Sequence, residues 1–83
     1  MDAIIMCRSI TQAQQAAKSL YTAGFSAKMI RPPRSLNREG CAFAVAMDDV
    51  QLPEAVRHLK YNAIGFGKVY VRKPSGIYEE KNI

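Results

Sequence analysis

The chain has 83 residues and carries 12 lysines and arginines against 7 aspartates and glutamates, which gives a net charge of +5 at pH 7. A chain of this length is too short to build two hydrophobic cores, so it makes one domain. Its hydrophobic fraction of 48% excludes a disordered chain and fits a compact fold. The basic balance favours anionic partners, although +5 is also common as ordinary solubility charge.

The amino-terminal apolar run, residues 3–7, meets Arg8 soon after it begins. It is too short for a signal peptide or a membrane span, so we expect no membrane association. Two cysteines without a secretion signal indicate a reducing compartment, where thiols stay reduced unless they are functional. The sequence therefore predicts a cytoplasmic protein.

Hydrophobic periodicity predicts four strands and two helices. Residues 3–7 form a short buried strand, and Ser9 with Gln12 makes a capping box that starts a helix at Ile10. Gly24 ends that helix, and an apolar period after Asp48 and Asp49 predicts a second helix over about residues 52–59. The remaining predicted strands are residues 25–30, 41–47 and 68–71.

This order of elements, strand, helix, strand, strand, helix, strand, is the ferredoxin-like split-βαβ plan. Right-handed crossovers then give a four-stranded antiparallel sheet in the order 4-1-3-2, with both helices on one face. We assign residues 1–73 to this α+β domain. Residues 74–83, which include Pro74, Gly76 and a Glu-Glu-Lys cluster, are expected to form a flexible C-terminal tail.

An arginine-rich loop, residues 31–40, leads into Cys41 at the start of the predicted third strand. Two prolines stiffen the loop, and Arg34 and Arg38 precede the thiol by seven and three residues. Strands 1 and 3 run antiparallel, so we expect Cys41 to lie beside Cys7. Arg8 and Ser9, at the amino end of the first helix, belong to the same end of the sheet. Guanidinium groups and a helix amino terminus lower the pKa of a nearby thiol, which predicts a reactive Cys41.

Other interpretations of these residues remain open. A cysteine that opens a strand is often a small buried hydrophobe. For Cys7 the apolar strand favours core packing, with a resolving or disulfide role as the second possibility, which would need Cα atoms within about 7 Å of Cys41. The one histidine, His58, lies off the apolar stripe of its helix and is expected at the surface. The spacing of these residues predicts no metal site, and no motif indicates a cofactor.

Several of these segments resemble the putative Se/S carrier protein-like family of small bacterial domains. The similar residues are 4–9 leading into a helix, the glycine before Phe25, residues 30–34 and the later cysteine, and the similarity spans about residues 3–71. The resemblance implies that Cys41 carries sulfur or selenium, with Ser9 and Arg34 as supporting positions. Cys7 is not a family position. Family members usually have Cys-Gly where this chain has Cys41-Ala42.

The main functional hypothesis is a carrier that holds a persulfide or selenopersulfide on Cys41 between donor and acceptor proteins. Arg8, Arg34 and Arg38 would stabilise its charge. The alternative is a non-catalytic regulatory or assembly module that binds a small anion at the arginine-rich end or forms a homodimer through edge strands. An RNA-binding module shares the fold, but the first strand lacks the stacking aromatics, which disfavours nucleic acid. No acid–base pair accompanies the thiol, so a stand-alone enzyme is disfavoured as well.

Overall fold

A computed structural model describes residues 2–36 and 43–82 of the protein. The described residues form five strands, two α-helices and two short 3-10 turns. The strands are β1 (Ala3–Cys7), β2 (Ala27–Ile30), β3 (Phe43–Met47), β4 (Val69–Arg72) and β5 (Tyr78–Lys81); the helices are α1 (Ile10–Thr22) and α2 (Leu52–Tyr61); the 3-10 turns are Arg34–Leu36 and Asp49–Gln51.

All neighbouring strands are antiparallel, and the sheet order is β2-β3-β1-β4-β5. The predicted arrangement of the first four strands is confirmed. The prediction of only four strands is wrong, because residues 78–81 of the segment expected to be a tail pair with β4. A tight turn makes this possible: Gly76 adopts φ 89°, and Lys73 N donates to Ile77 O at 2.8 Å. Pairing across the hairpin then orders a segment with little apolar content of its own.

Both helices pack on one face of the sheet, where the main core lies. The bulky side chains of β3 face the helices, and the helices meet them with small or branched side chains. The buried members of this core are Ala3, Ile5, Cys7, Ala13, Ala16, Leu20, Val45, Met47, Leu52, Ala55, Val56, Leu59 and Val69. Alternation along each strand sends the intervening residues to the opposite face.

The second face of the sheet carries a smaller apolar cluster and no helix. Ile4, Met6 and Ala44 are buried there, at 3%, 4% and 0% exposure. Partly buried side chains from four other elements pack around them, namely Ile30, Leu36, Tyr70 and Tyr78. The contribution of Tyr78 shows that β5 completes this face as well as the edge of the sheet.

The predicted ends of α1 are confirmed. Ser9 Oγ accepts a hydrogen bond from Gln12 N at 3.1 Å, and Gly24 follows the helix with φ 94°. A positive φ suits glycine because it has no Cβ to clash with the backbone. Neither α-helix in the described ranges is long and apolar enough to cross a membrane.

Candidate functional site

Strand register brings three chain segments to one end of the sheet. Cys7, the last residue of β1, lies opposite Phe43, the first residue of β3. Ile30, the last residue of β2, lies opposite Ala44. The end of β1, the start of α1 and the connection from β2 to β3 therefore meet at this end, which we call the arginine-rich end for Arg8, Arg31 and Arg34.

Arg31 stacks on the first residue of β3. Its guanidinium carbon lies 6.0 Å from the centre of the Phe43 ring, within the range of a cation–π interaction. Pro32 is buried, and Leu36 N donates to Pro33 O at 3.0 Å, which closes the 3-10 turn that carries the exposed Arg34. The two prolines thus restrict the backbone conformation of the chain as it leaves β2.

Gln12 ties the start of α1 to its surroundings. Its side-chain Oε1 accepts a hydrogen bond from Arg8 N at 2.8 Å, so this capping box reaches one residue further back than the usual N-cap amide. The other end of the same amide packs against the loop before β4: a Cβ added to Gly65 would lie 2.9 Å from Gln12 Nε2. Gln12 therefore fixes both the backbone of Arg8 and the position of this loop.

The loop before β4 closes tightly on the end of β1. Gly67 N donates to Met6 O at 2.6 Å, and Met6 N donates to Lys68 O at 2.8 Å. A Cβ on Gly67 would lie 3.0 Å from that same Met6 oxygen, closer than nearly all real contacts. Glycine therefore allows the two backbones to approach this closely, whereas a larger residue at position 67 would force the backbone to shift.

The structure describes one of the two cysteines, Cys7. Cys7 is fully buried in the helix-side core, and its Sγ donates to Ile5 O at 3.7 Å, in agreement with the core-packing interpretation. Cys41 and Arg38 lie outside the described residues, so the expected proximity of the two thiols stays a prediction. Ser9 and Arg8 lie at the arginine-rich end, and both are exposed.

A cavity of about 560 Å³ opens on the second face of the sheet at the arginine-rich end. Its lining combines apolar groups with charges of both signs. The described residues around it are Met6, Cys7, Arg8, Ser35, Leu36, Gly67, Lys68, Tyr70, Tyr78 and Glu80. Among these residues only Cys7 and Arg8 were candidates from the sequence, and two that were missed, Tyr78 and Glu80, come from β5. The signal that could have found the β5 residues was the glycine-containing turn at residues 74–76, which follows the predicted fourth strand.

An ion pair lies at the end of the sheet opposite the arginine-rich end. Asp2 lies at the end opposite the arginine-rich end and pairs with Arg72 at 3.1 Å. The arginine-rich end also carries a described carboxylate. The carboxylate of Glu80 also lines the cavity there, because β5 brings it alongside β4.

His58 lies between the helices, away from the arginine-rich end. Its Nε2 is 2.8 Å from Ser19 Oγ, and its ring centre is 5.9 Å from that of Phe25. The side chain is half-buried rather than fully at the surface, because α1 packs against it. Within residues 2–36 and 43–82, no group of three or more histidine, cysteine or acidic side chains is placed to hold a metal ion.

Comparison with known proteins gives one match. A sequence model of the putative Se/S carrier protein-like family matches residues 2–71. The chain belongs to this family. Neither the curated proteins nor the solved structures contain a match.

The match to the Se/S carrier-like family ends before the last strand. It covers β1 through most of β4, while β5 begins at Tyr78. In this member of the family, the cavity wall formed by Tyr78 and Glu80 therefore comes from residues outside the matched region. The arginine-rich end, in contrast, lies within it.

Proposed function

We propose that this protein is a sulfur or selenium carrier that holds a persulfide or selenopersulfide on Cys41. Membership of the Se/S carrier-like family over residues 2–71 is the observation that carries the proposal. The family name gives the class of cargo. The choice of Cys41 rests on its place in the sequence, directly after the arginine-rich loop.

The strand register supports this choice of residue. Phe43 is held opposite Cys7 by strand pairing, and Arg31 stacks on its ring. Cys41 precedes Phe43 by two residues, so the covalent chain keeps the Cα atom of Cys41 within about 7.6 Å of the Cα atom of Phe43. Arg8 and Arg31 at this end supply positive charge for a thiolate or a terminal persulfide anion.

The transfer step needs no external oxidant or reductant. The Cys41 thiolate attacks the outer sulfur of a donor persulfide, a new S–S bond forms, and the old S–S bond breaks. The electron pair of the broken S–S bond leaves with the donor thiolate. Delivery to the acceptor is the same exchange with the roles reversed, and a selenopersulfide follows the same balance. The partners of such a protein are the proteins that donate and accept the chalcogen.

The test is transfer of labelled sulfur from a cysteine desulfurase. We expect label on the wild-type protein, and intact mass should rise by about 32 Da for one persulfide sulfur and fall back with reductant. Cys41→Ser should abolish the label. Cys7→Ala is the matched control and should keep it, because Cys7 is fully buried. Equal labelling of wild type and Cys41→Ser would refute the role of Cys41.

A further inference from the structure

Two charged side chains of opposite sign, Arg8 and Glu80, line the cavity on the second face without a partner among the described residues. Arg8 uses its backbone amide to reach Gln12, but its guanidinium makes no hydrogen bond or ion pair within the described part of the chain. The Glu80 carboxylate likewise makes none with described residues. Lys68 also lines the cavity but is engaged in a contact of its own. Arg8 and Glu80, which face the cavity without a partner among the described residues, are suited to bind a charged ligand.

Glu79, the neighbouring glutamate in β5, is paired with lysines. Glu79 pairs with Lys73 at 2.6 Å and with Lys81 at 3.0 Å, and it does not line the cavity. Glu80 lies opposite Tyr70 in the register, so both side chains stand on the second face. The two glutamates therefore differ in face and in partners although they are adjacent.

We infer that this cavity binds a small zwitterion of the amino-acid type. A ligand with negative charge alone would be repelled by Glu80, and one with positive charge alone would be repelled by Arg8. A ligand that places a carboxylate beside Arg8 and an ammonium group beside Glu80 satisfies both signs. This assignment goes beyond the carrier proposal and does not depend on any chemistry at Cys41.

The rest of the lining favours an amino acid with an apolar side chain. The buried Met6 and the half-buried rings of Tyr70 and Tyr78 form an apolar surface beside the charges. Such a surface accepts an aliphatic or thioether group, because sulfur and methylene groups pack well on aromatic rings. The volume of about 560 Å³ holds an amino acid or a short peptide with room to spare.

The experiment is an NMR titration with L-methionine and two relatives that each lack one charge. L-methioninol has no carboxylate, and N-acetyl-L-methionine has no ammonium group. We expect L-methionine to shift the signals of the Met6 methyl group and the Tyr70 and Tyr78 rings. Each relative should bind about three- to tenfold more weakly, as expected for the loss of one exposed charge pair. Cys41→Ser should give the same result, which separates this test from the carrier proposal.

Two adjacent glutamates provide matched variants. Glu80→Gln should weaken L-methionine binding about three- to tenfold and leave N-acetyl-L-methionine unchanged or tighter, because a repulsion is removed. Glu79→Gln should bind like wild type. Absence of shifts at these signals, or tighter L-methionine binding in Glu80→Gln, would overturn the assignment; the second result would mean that the cavity takes a simple anion. Dispersed amide spectra of both variants provide the check on folding.

Discussion

The Cα atoms of Cys7 and Phe43 lie opposite each other at the point where the two central strands of the sheet end and begin. This pairing sets the place of the arginine-rich end. The side chain of Cys7 turns into the helix-side core, while the backbone that follows it turns outward to Arg8 and the start of α1. A fully buried thiol and an exposed guanidinium thus belong to adjacent residues.

The burial of Cys7 predicts that the two thiols react at different rates. In the native protein iodoacetamide should modify Cys41 and leave Cys7 unmodified until the chain is unfolded in urea, because Cys7 is 0% exposed. Peptide mapping after a timed reaction measures this directly. Rapid native labelling of Cys7 would contradict the core position of its side chain.

Replacement of Cys7 should lower stability through packing. Cys7→Ala removes a buried sulfur and should lower the free energy of unfolding by about 1–2 kcal/mol. Cys7→Ser should lower it further, since a hydroxyl needs hydrogen bonds that the apolar core supplies poorly. Urea unfolding of the two variants beside wild type checks the order. A Cys7→Ser protein as stable as Cys7→Ala would show that the site accepts a polar group.

The N-cap of α1 should make a measurable contribution of its own. Ser9→Ala removes the acceptor for Gln12 N and should lower the free energy of unfolding by about 1 kcal/mol. Ser75→Ala, in the exposed turn before β5, is the control and should stay within about 0.5 kcal/mol of wild type. Chemical denaturation of both variants measures the difference. Equal stabilities for the two would mean that water replaces the cap without loss.

The two glycines before β4 should respond differently to alanine. Gly67→Ala places a Cβ 3.0 Å from the backbone oxygen of Met6, which cannot move without disturbing β1. We expect a loss of about 1–3 kcal/mol for this overpacking. Gly65→Ala instead meets the end of the Gln12 side chain at 2.9 Å, and a side chain can shift more easily than the backbone of β1, so a smaller loss is expected. Urea unfolding of the pair tests this, and a larger effect at Gly65 would reverse the assignment of the rigid contact.

The β4–β5 hairpin should weaken in acid because of Glu79. Hydrogen bonds from Lys73 and then Lys81, together with their positive charge, lower the pKa of Glu79 from 4.5 to about 2. A carboxylate with a lowered pKa in the folded state stabilises that state above pH 4.5, and this stabilisation is lost as the pH falls toward about 2. Added salt should reduce the effect, since the pairs are exposed.

Glu79→Gln is the variant that isolates this contribution. Its stability should differ from wild type near neutral pH and converge with it as the pH approaches 2. Glu80→Gln leaves both lysine pairs of Glu79 in place and should follow the wild-type curve over that window. Denaturation midpoints measured across the acid range give the comparison. A constant gap between Glu79→Gln and wild type would argue against titration of Glu79 as the cause.

Sequence patterns were sufficient to predict the elements whose conformation is specified by neighbouring residues. The apolar run of β1, the Ser9–Gln12 capping box and the glycine after α1 each specify a backbone conformation through neighbouring residues, and the structure has them where they were expected. The order of the first four strands followed from the handedness of crossovers, which depends on chain chirality rather than on particular residues. The same topology brings the connection from β2 to β3, with Arg31, to the end of β1.

Tertiary structure alone decided the fifth strand and the cavity that it completes. Tyr78–Lys81 lacks apolar alternation, and it forms a strand because β4 offers it an unpaired edge across a glycine-containing turn. The pairing then turns Glu80 toward the second face and Glu79 toward its two lysines. Adjacent residues of one type thus acquire different surroundings, because the face on which a side chain stands depends on register with a distant strand.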